Sequence, residues 1–148
     1  MRVSNSSTHQ VLTQPPLSLR KGAVQLAMTL KRIDQELTIL RRDPTDTFSA
    51  GPAETGNPLE WVGYIMGPPD TPFEREKFAF AIDFPENYPV KPFRLSFTSL
   101  ISHPNVSEEG VVLMPELGEE WSPVQTVRTV LICLQVLLTE PDLSTPYD

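Results

Sequence analysis

A chain of 148 residues with a formal net charge of −7 is the size of one domain and is long enough to bury a core. The first 33 positions hold five basic residues and no acidic one, so the rest of the chain carries a balance of −12, which argues against bare nucleic acid as a partner. The single cysteine excludes an internal disulfide framework and a cysteine-based zinc site.

Residues 1–22 are predicted to form an N-terminal arm, followed by one domain over residues 23–148. The arm is rich in serine, contains Pro15 and Pro16 and shows no apolar period, so it cannot bury enough surface to offset the entropy of ordering. Its basic, acid-free composition is shared with mitochondrial transit peptides, but the amphipathic arginine spacing of such peptides is missing. A disordered or partner-binding arm is the commoner interpretation of this composition.

The first regular element is predicted to be a helix of about twenty residues that begins near Gly22. Its apolar residues recur at the spacing of one helical face, and they are Leu26, Leu30, Ile33, Leu37 and Leu40. Pro44 ends the helix, since the residue before a proline is disfavoured in the helical region.

Three strands are predicted from alternating apolar and polar residues. They cover residues 59–65, 77–83 and 95–98 and are expected to pair as an antiparallel meander. Segments 49–52 and 56–58, which combine glycine and proline with small polar residues, are predicted to be turns. The 16 prolines of the chain imply rigid, ordered connections between short elements.

A second helix is predicted after residue 126, with Thr126 as its N-cap and Pro141 beyond its end. It is apolar on most of its circumference, so we expect it to be the central core helix of an α+β domain. Its longest apolar run, residues 130–134, is far shorter than the ~20 residues that cross a bilayer, and no secretory signal precedes it. We therefore expect a soluble protein without a transmembrane segment.

Several short motifs occur in a fixed order along this pattern, and each alone could be a core side chain or a rigid turn. They are Leu30-Lys31-Arg32-Ile33, Ser49-Ala50-Gly51-Pro52, Trp61, Gly67-Pro68, Phe84-Pro85, Tyr88-Pro89, His103-Pro104-Asn105 and Trp121-Ser122-Pro123. In this combination and spacing, the segment from about Ala27 to Pro146 resembles the ubiquitin-conjugating enzyme family. The resemblance implies the ubiquitin-conjugating-enzyme (UBC) fold, in which an N-terminal helix, an antiparallel meander and a central core helix follow one another.

The resemblance also implies where the catalytic cysteine of the family belongs. That cysteine accepts ubiquitin as a thioester, and it lies three residues after the loop glycine and eight before the loop tryptophan. Both counts, from Gly110 and from Trp121, arrive at Leu113. Leucine has no lone pair with which to attack an acyl group, so we predict a pseudoenzyme with no catalytic residue. We also predict that the protein binds no metal and no cofactor.

Other positions of the family's site are kept or changed. Asn105 stands where the family's asparagine supports the oxyanion, and Thr145 stands where active members often have an aspartate. Without an acyl group to serve, a turn-building role is the better account of Asn105. Cys133 lies in the apolar run of the core helix, where a thiol behaves as a small hydrophobe with a raised pKa, so we expect it to be structural.

The C-terminal helices of the fold are expected to be missing, because the chain ends at Asp148 whereas typical members continue into further helices. Ubiquitin-conjugating enzyme variants, the non-catalytic branch that pairs with an active member, resemble the chain in this respect and in lacking the cysteine. Those variants usually lack the Trp-Ser-Pro loop, which is intact here.

Protein-binding residues are also implied by the resemblance. The surface that the family uses for its activating enzyme and its ligases corresponds to Lys31, Arg32, Pro89, Val90, Lys91, Ser122, Pro123 and Val124. Ser49 corresponds to the exposed back face of the sheet. Members that bind RING ligases often carry an aromatic residue at the position of Val90, and because aromatic anchors dominate such interfaces we expect weak or no ligase binding.

Two functional hypotheses follow. In the first, the protein is a non-catalytic partner or scaffold in ubiquitin conjugation that binds an active conjugating enzyme or ubiquitin, in the cytoplasm or nucleus. In the second, it is a structural accessory subunit that docks against neighbouring subunits of a large assembly, with a mitochondrial location suggested by the basic arm. An active enzyme with an unexpected nucleophile is the least favoured alternative.

Overall fold

The structure is a computed structural model of the chain and describes residues 16–143. Residues 1–15 of the predicted arm, and Thr145 among the predicted site residues, lie outside this range. The described elements are helix α1 (Leu17–Arg42), strands β1 (Phe48–Pro52), β2 (Glu60–Met66), β3 (Lys77–Asp83) and β4 (Arg94–Phe97), a short 3-10 helix (Pro115–Leu117) and helix α2 (Val127–Thr139). Within the described range, neither α-helix is both long and apolar enough to cross a membrane.

The four strands form one antiparallel sheet in the order β1-β2-β3-β4, so the predicted meander is confirmed. Residues that lie opposite each other on neighbouring strands share a face of the sheet, and one face is apolar. Two rows across this face consist of Phe48, Ile65 and Phe78, and of Trp61, Ile82 and Leu95. All six side chains are buried, and they join one core cluster with the apolar residues of α2.

Strand β1 corrects one prediction, because residues 49–52 were expected to form a turn and instead belong to this strand. Glycine and proline favour turns in isolation, but Pro52 lies at the end of an edge strand, where a missing N–H is tolerated. Phe48 anchors the strand in the core. The other three strands begin and end within one residue of their predicted limits.

Helix α1 also differs from its prediction in its start. It begins at Leu17, five residues before Gly22, so the last six residues of the predicted arm are helical. The signal was missed because this first part of the helix has no buried apolar stripe, and the buried residues of α1 begin only at Thr29. The division of the chain into an arm and a domain otherwise stays a prediction.

The buried face of α1 is rotated from the face that the leucine pattern predicted. Its buried residues are Thr29, Ile33, Glu36 and Leu40, which follow the spacing of one helical face. Leu26, Leu30 and Leu37 are only half-buried. Two polar side chains can occupy the buried stripe because each of them makes hydrogen bonds there, which offset the loss of hydration.

Helix α2 confirms the predicted core helix. Thr126 caps its N-terminus, since its side chain accepts the N–H of Thr129 while the Thr129 hydroxyl accepts the N–H of Thr126. The helix ends at Thr139, two residues before Pro141. Its buried residues are Val127, Val130, Leu131, Leu134, Leu137 and Leu138. Burial of side chains of this kind stabilises the fold by about 1.5–3 kcal/mol each, so α2 contributes substantially to core stability.

Candidate functional site

Within the loop from His103 to Pro123, residues 110–112 form a partly paired segment beside β4. Phe97 N–H donates to Gly110 O at 2.7 Å, and Val112 N–H donates to Leu95 O at 3.0 Å. Gly110 has a φ of +92°, and a Cβ at this position would lie 2.2 Å from Phe97 O, so only glycine fits. These contacts fix the backbone that leads to Leu113.

The backbone of Leu113 is fixed by a hydrogen bond, and its side chain is aliphatic. Its N–H donates to Asn105 O at 2.8 Å, and its side chain is half-buried. It lines a cavity of about 320 Å³ together with Phe93, Met114 and Leu117, among others. The position is therefore built as an ordered, partly apolar surface, and its side chain offers no atom that could form a thioester.

Asn105, predicted to build the turn, is fully buried and uses its side-chain amide to hold the segment after α2. Its Nδ2–H donates to Asp142 O at 2.7 Å, and its Oδ1 accepts the N–H of Asp142 at 2.9 Å. Both polar atoms of the amide are thus engaged with backbone. This arrangement accounts for a buried asparagine without any bound acyl group.

His103 is buried at the start of the same loop and has two backbone partners. Its Nδ1 accepts the N–H of Asn105 at 3.0 Å, so Nε2 carries the proton and donates to Leu137 O at 2.8 Å. Burial lowers the pKa of His103 below its usual value of 6.5 because it penalises the charged ring. The neutral ring joins the loop to α2, and both of its nitrogens are used for structure.

Cys133 lies on α2 and is half-buried rather than in the centre of the core. It lines a cavity of about 270 Å³ with Pro115, Glu116 and Val136, among others. Burial raises the pKa of the Cys133 thiol, and the negative charges of Glu116 and Glu120 raise it further. Because the thiolate is the nucleophilic form, this setting suppresses the reactivity of the one cysteine in the chain.

The described residues, 16–143, contain no candidate metal site. No group of three or more His, Cys, Asp or Glu side chains in this part of the chain lies close enough together to hold a metal ion.

The segments predicted to bind other proteins meet around Arg32. Its Nη2 donates to Pro123 O at 2.9 Å and to Gln125 O at 2.8 Å, and its Nε pairs with Glu36 Oε2 at 2.8 Å. Trp121 Nε1–H donates to Pro89 O at 3.0 Å. The guanidinium and the indole therefore tie the Trp-Ser-Pro loop to α1 and to the Tyr-Pro turn.

The remaining predicted contact residues differ in exposure. Arg32, Pro89 and Ser122 are half-buried, whereas Lys31, Ser49, Val90, Lys91, Pro123 and Val124 are exposed. Arg32, Pro89 and Val90 line one groove, and Arg32 also contacts Pro123. Ser49 lies on β1 and lines a separate cleft of about 580 Å³ with Val62 and Tyr64, among others.

Sequence reasoning assigned no structural role to Glu36, which is not one of the residues of the predicted apolar face. Its carboxylate is buried, and it accepts hydrogen bonds from Val127 N–H at 2.7 Å, from Arg32 Nε and from the Tyr88 hydroxyl. The signal that could have found it is its spacing from Ile33 and Leu40, which puts it on the buried stripe of α1.

Tyr88 completes this cluster from the side of the Tyr-Pro turn. Burial raises the pKa of the Tyr88 hydroxyl far above its usual value of 10.0, and the charge of Glu36 raises it further. The guanidinium of Arg32 lies 5.5 Å from the centre of the Tyr88 ring, within the range of a cation–π contact. Tyr88 therefore stays protonated and donates to the carboxylate.

The chain forms a four-stranded antiparallel meander that is preceded by an N-terminal helix and followed by a core helix. The loop from His103 to Pro123 connects the sheet to the core helix. This arrangement defines the UBC class of folds. The family model for ubiquitin-conjugating enzymes matches residues 32–148. The solved structure of human ubiquitin-conjugating enzyme E2 G1 is 34% identical in sequence, with a TM-score of 0.71, over 74% of this chain and 93% of that one. The chain belongs to the ubiquitin-conjugating enzyme family.

Proposed function

We propose that the protein is a catalytically inactive member of the family that acts as a non-catalytic partner or scaffold through protein–protein contacts. The observation that carries this proposal is Leu113, which stands three residues after Gly110 and eight before Trp121. The loop around it keeps its backbone hydrogen bonds. The loop that would position a thioester cysteine is therefore ordered by hydrogen bonds, but residue 113 has no thiol.

The chemistry of the reaction supports the same conclusion. Transfer of an acyl group through a thioester needs a thiolate, which is both a strong nucleophile and a good leaving group near neutral pH. Cys133 is the one cysteine of the chain, and its raised pKa leaves little thiolate. Asn105 is engaged with the backbone of Asp142, which favours a structural role for the residue at the oxyanion position.

The proposed partners are an active conjugating enzyme or ubiquitin. Exposed Lys31, Lys91 and Val124 offer one contact surface, and exposed Ser49 on β1 offers another. Val90 in place of an aromatic anchor favours weak or absent binding of RING ligases. The two surfaces lie on different elements, so one partner on each surface is compatible with a scaffold role.

A thioester assay with activating enzyme, ATP and labelled ubiquitin tests the inactivity. We expect no adduct that a thiol reductant removes, while an active family member run in parallel forms one. Cys133→Ser is the matched control: an adduct that forms with the unaltered protein and disappears in this variant would show that Cys133 is a nucleophile and would contradict the proposal.

Titration of 15N-labelled ubiquitin and of a labelled active conjugating enzyme tests the partner role, and the absence of binding to either would contradict it.

A second candidate function is an accessory subunit of a large, mitochondrial assembly that uses the fold as a docking block. It is favoured by the basic, acid-free first 33 residues next to an acidic body. Cell fractionation separates the two proposals, since co-migration with a particle of megadalton size in mitochondria supports the second and a small complex with ubiquitin or a conjugating enzyme supports the first.

A further inference from the structure

A long groove lies between the first half of α1 and the turn that contains Tyr88. Its volume is about 550 Å³. The apolar residues that line it are Leu17, Val24, Met28, Tyr88, Pro89 and Val90. We call this feature the α1 groove.

The apolar side chains of the α1 groove are far more exposed than the core requires. The exposed fractions are 57% for Leu17, 60% for Val24, 67% for Met28 and 63% for Val90. The three helical residues are spaced by seven and four positions, so they lie along one face of α1. Scattered exposed hydrophobic residues need no explanation, but a contiguous apolar patch marks a binding surface.

The helical wall of the α1 groove does not belong to the part of the chain that the family model matches. That match begins at residue 32, whereas α1 begins at Leu17. The contact surface implied by the family resemblance likewise begins at Lys31. The α1 groove is therefore partly built by helical residues before position 32, outside the matched range, although it shares Arg32, Pro89 and Val90 with the contact surface implied by the family resemblance. The inference does not depend on the missing thiol at residue 113.

The rim of the α1 groove is basic. Arg20 and Lys21 line it, and no acidic residue is found among its lining residues within the described range. From Leu17 to Ile33 the helix carries no acidic side chain. Arg32 also lines the groove, but its guanidinium is engaged with Glu36 and with the backbone of the Trp-Ser-Pro loop. Arg20 and Lys21 are therefore the cations that can face a ligand.

Charge argues against two of the occupants that an apolar groove could take. Residues 1–15 hold one base, Arg2, and no acid, so the chain's own first segment does not complement the rim. An anionic bilayer would complement Arg20 and Lys21, but it would face the rest of the chain, whose balance is −12, and repulsion opposes that approach. A partner segment with apolar side chains and acidic flanks satisfies both the groove and its rim.

We propose that the α1 groove binds an amphipathic helix of a partner protein, with an apolar stripe flanked by aspartate or glutamate. The wall from Leu17 to Met28 is twelve residues long, or about 16–18 Å at 1.5 Å per residue, which matches about three turns of a bound helix. Docking of a helix into a groove through residues at i, i+3, i+4 and i+7 is a recurring mode of recognition. The acidic flanks orient the segment and speed its association.

Two synthetic helical peptides with the same apolar stripe test the proposal, one with glutamate flanks and one with lysine flanks. Affinity for the full chain is measured by fluorescence anisotropy, and the contact surface is mapped by 1H–15N chemical shifts. We expect the glutamate peptide to bind at least about tenfold more tightly, with an affinity that falls as salt rises, and to shift the amides of residues 17–29 and 87–90. Equal binding of the two peptides, no binding of either, or shifts confined to other residues would overturn the proposal.

Variants on the same helix separate the groove from general effects. Val24→Asp and the pair Arg20→Glu with Lys21→Glu alter the groove, and we expect each to weaken binding of the glutamate peptide at least about tenfold. Ile39→Asp and the pair Arg41→Glu with Arg42→Glu are the matched controls, because these residues are exposed on α1 outside the groove, and we expect changes below about twofold. Circular dichroism confirms that each variant is folded.

Two further measurements test the other candidate occupants of the groove, which are a second copy of the chain and a lipid bilayer. Sedimentation of the unaltered protein tests for a dimer, and flotation with vesicles of anionic lipid tests for a bilayer. A dimer that dissociates in the Val24→Asp variant, or vesicle binding that this variant removes, would assign the groove to a second copy or to lipid and would contradict the proposal. A monomer that leaves the vesicles unbound and binds the glutamate peptide supports it.

Discussion

The carboxylate of Glu36 on α1 accepts the backbone N–H of Val127 at 2.7 Å, so the first helix supplies a cap for the first turn of the core helix. The N-terminus of a helix has N–H groups without partners inside the helix, and its dipole favours a negative charge. The same carboxylate accepts the Tyr88 hydroxyl and pairs with Arg32. One side chain thus joins α1, α2 and the Tyr-Pro turn.

Glu36→Gln is expected to lower the free energy of unfolding by about 2 kcal/mol, because hydrogen bonds to a charged group contribute about 1.5–3 kcal/mol each. The amide keeps one acceptor oxygen but turns a donor toward Arg32 or Val127. Urea unfolding followed by circular dichroism measures the change. Asp34→Asn, at an exposed position two residues earlier on α1, is the matched control with an expected change below about 0.5 kcal/mol. Equal effects of the two substitutions would contradict the role of Glu36.

The fold was predictable from periodicity and motif order, because the alternation in β2, β3 and β4 and the apolar circumference of α2 follow from which residues face the core. The buried face of α1 was not. Thr29 hydrogen-bonds to the carbonyls of Glu86 and Tyr88, which lie more than fifty positions away in the sequence. Only the tertiary structure could show that Thr29 has these partners and therefore belongs to the buried stripe.

The candidate site was predictable in position but not in its contacts. Counting from Gly110 and Trp121 identifies Leu113 because those flanking residues follow the family spacing. The partner of Asn105 depends on where the chain returns after α2, and no local pattern encodes that contact. The acidic surroundings of Cys133 were hidden for the same reason, since Glu116 and Glu120 belong to a different segment from α2.

His103 is expected to make stability fall as the pH drops below its unfolded-state pKa of 6.5. Its pKa is lowered in the folded state and is near 6.5 in the unfolded state, so the unfolded chain binds more protons in the range between these two pKa values. The contribution of the neutral ring is therefore present in full above pH 6.5 and is lost as the pH falls toward the folded-state pKa, with a slope of at most about 1.4 kcal/mol per pH unit.

Urea unfolding of the unaltered protein and of His103→Gln, from pH 5 to pH 8, measures this contribution. Glutamine stays neutral and can still donate to Leu137 O. Both proteins contain His9 and the same carboxyl groups, so the difference between their pH profiles isolates His103. We expect the difference to change below pH 6.5 and to be flat above it; parallel profiles throughout would show that His103 titrates alike in both states.

Glu116→Gln is expected to speed alkylation of Cys133 by iodoacetamide roughly two- to threefold at pH 7.5, since a lower pKa increases the thiolate fraction. The charge and hydrogen bond of Glu116 raise the pKa of this thiol, after burial itself. Mass spectrometry of quenched samples gives the rate. Glu119→Gln removes a charge from the same segment that does not contribute to the Cys133 pKa, and it is expected to leave the rate unchanged. A similar increase in both variants would assign the effect to net charge.

Asn105→Ala and Asn105→Asp are both expected to lower the free energy of unfolding by about 1–3 kcal/mol, because each removes a hydrogen bond between the buried Asn105 side chain and the part-buried backbone of Asp142. Alanine removes both hydrogen bonds, whereas aspartate keeps an acceptor for the Asp142 N–H but sets a carboxylate oxygen against Asp142 O. Urea unfolding measures both changes. Asn57→Asp is the matched control, because aspartate keeps the acceptor for the N–H of Leu59 and loses a donor as in Asn105→Asp, but here the lost bond, from Nδ2 to Glu60 Oε2 at 3.3 Å, is exposed to solvent. A loss in Asn105→Asp no larger than in the control would mean that the donor half of the amide does not hold the segment after α2.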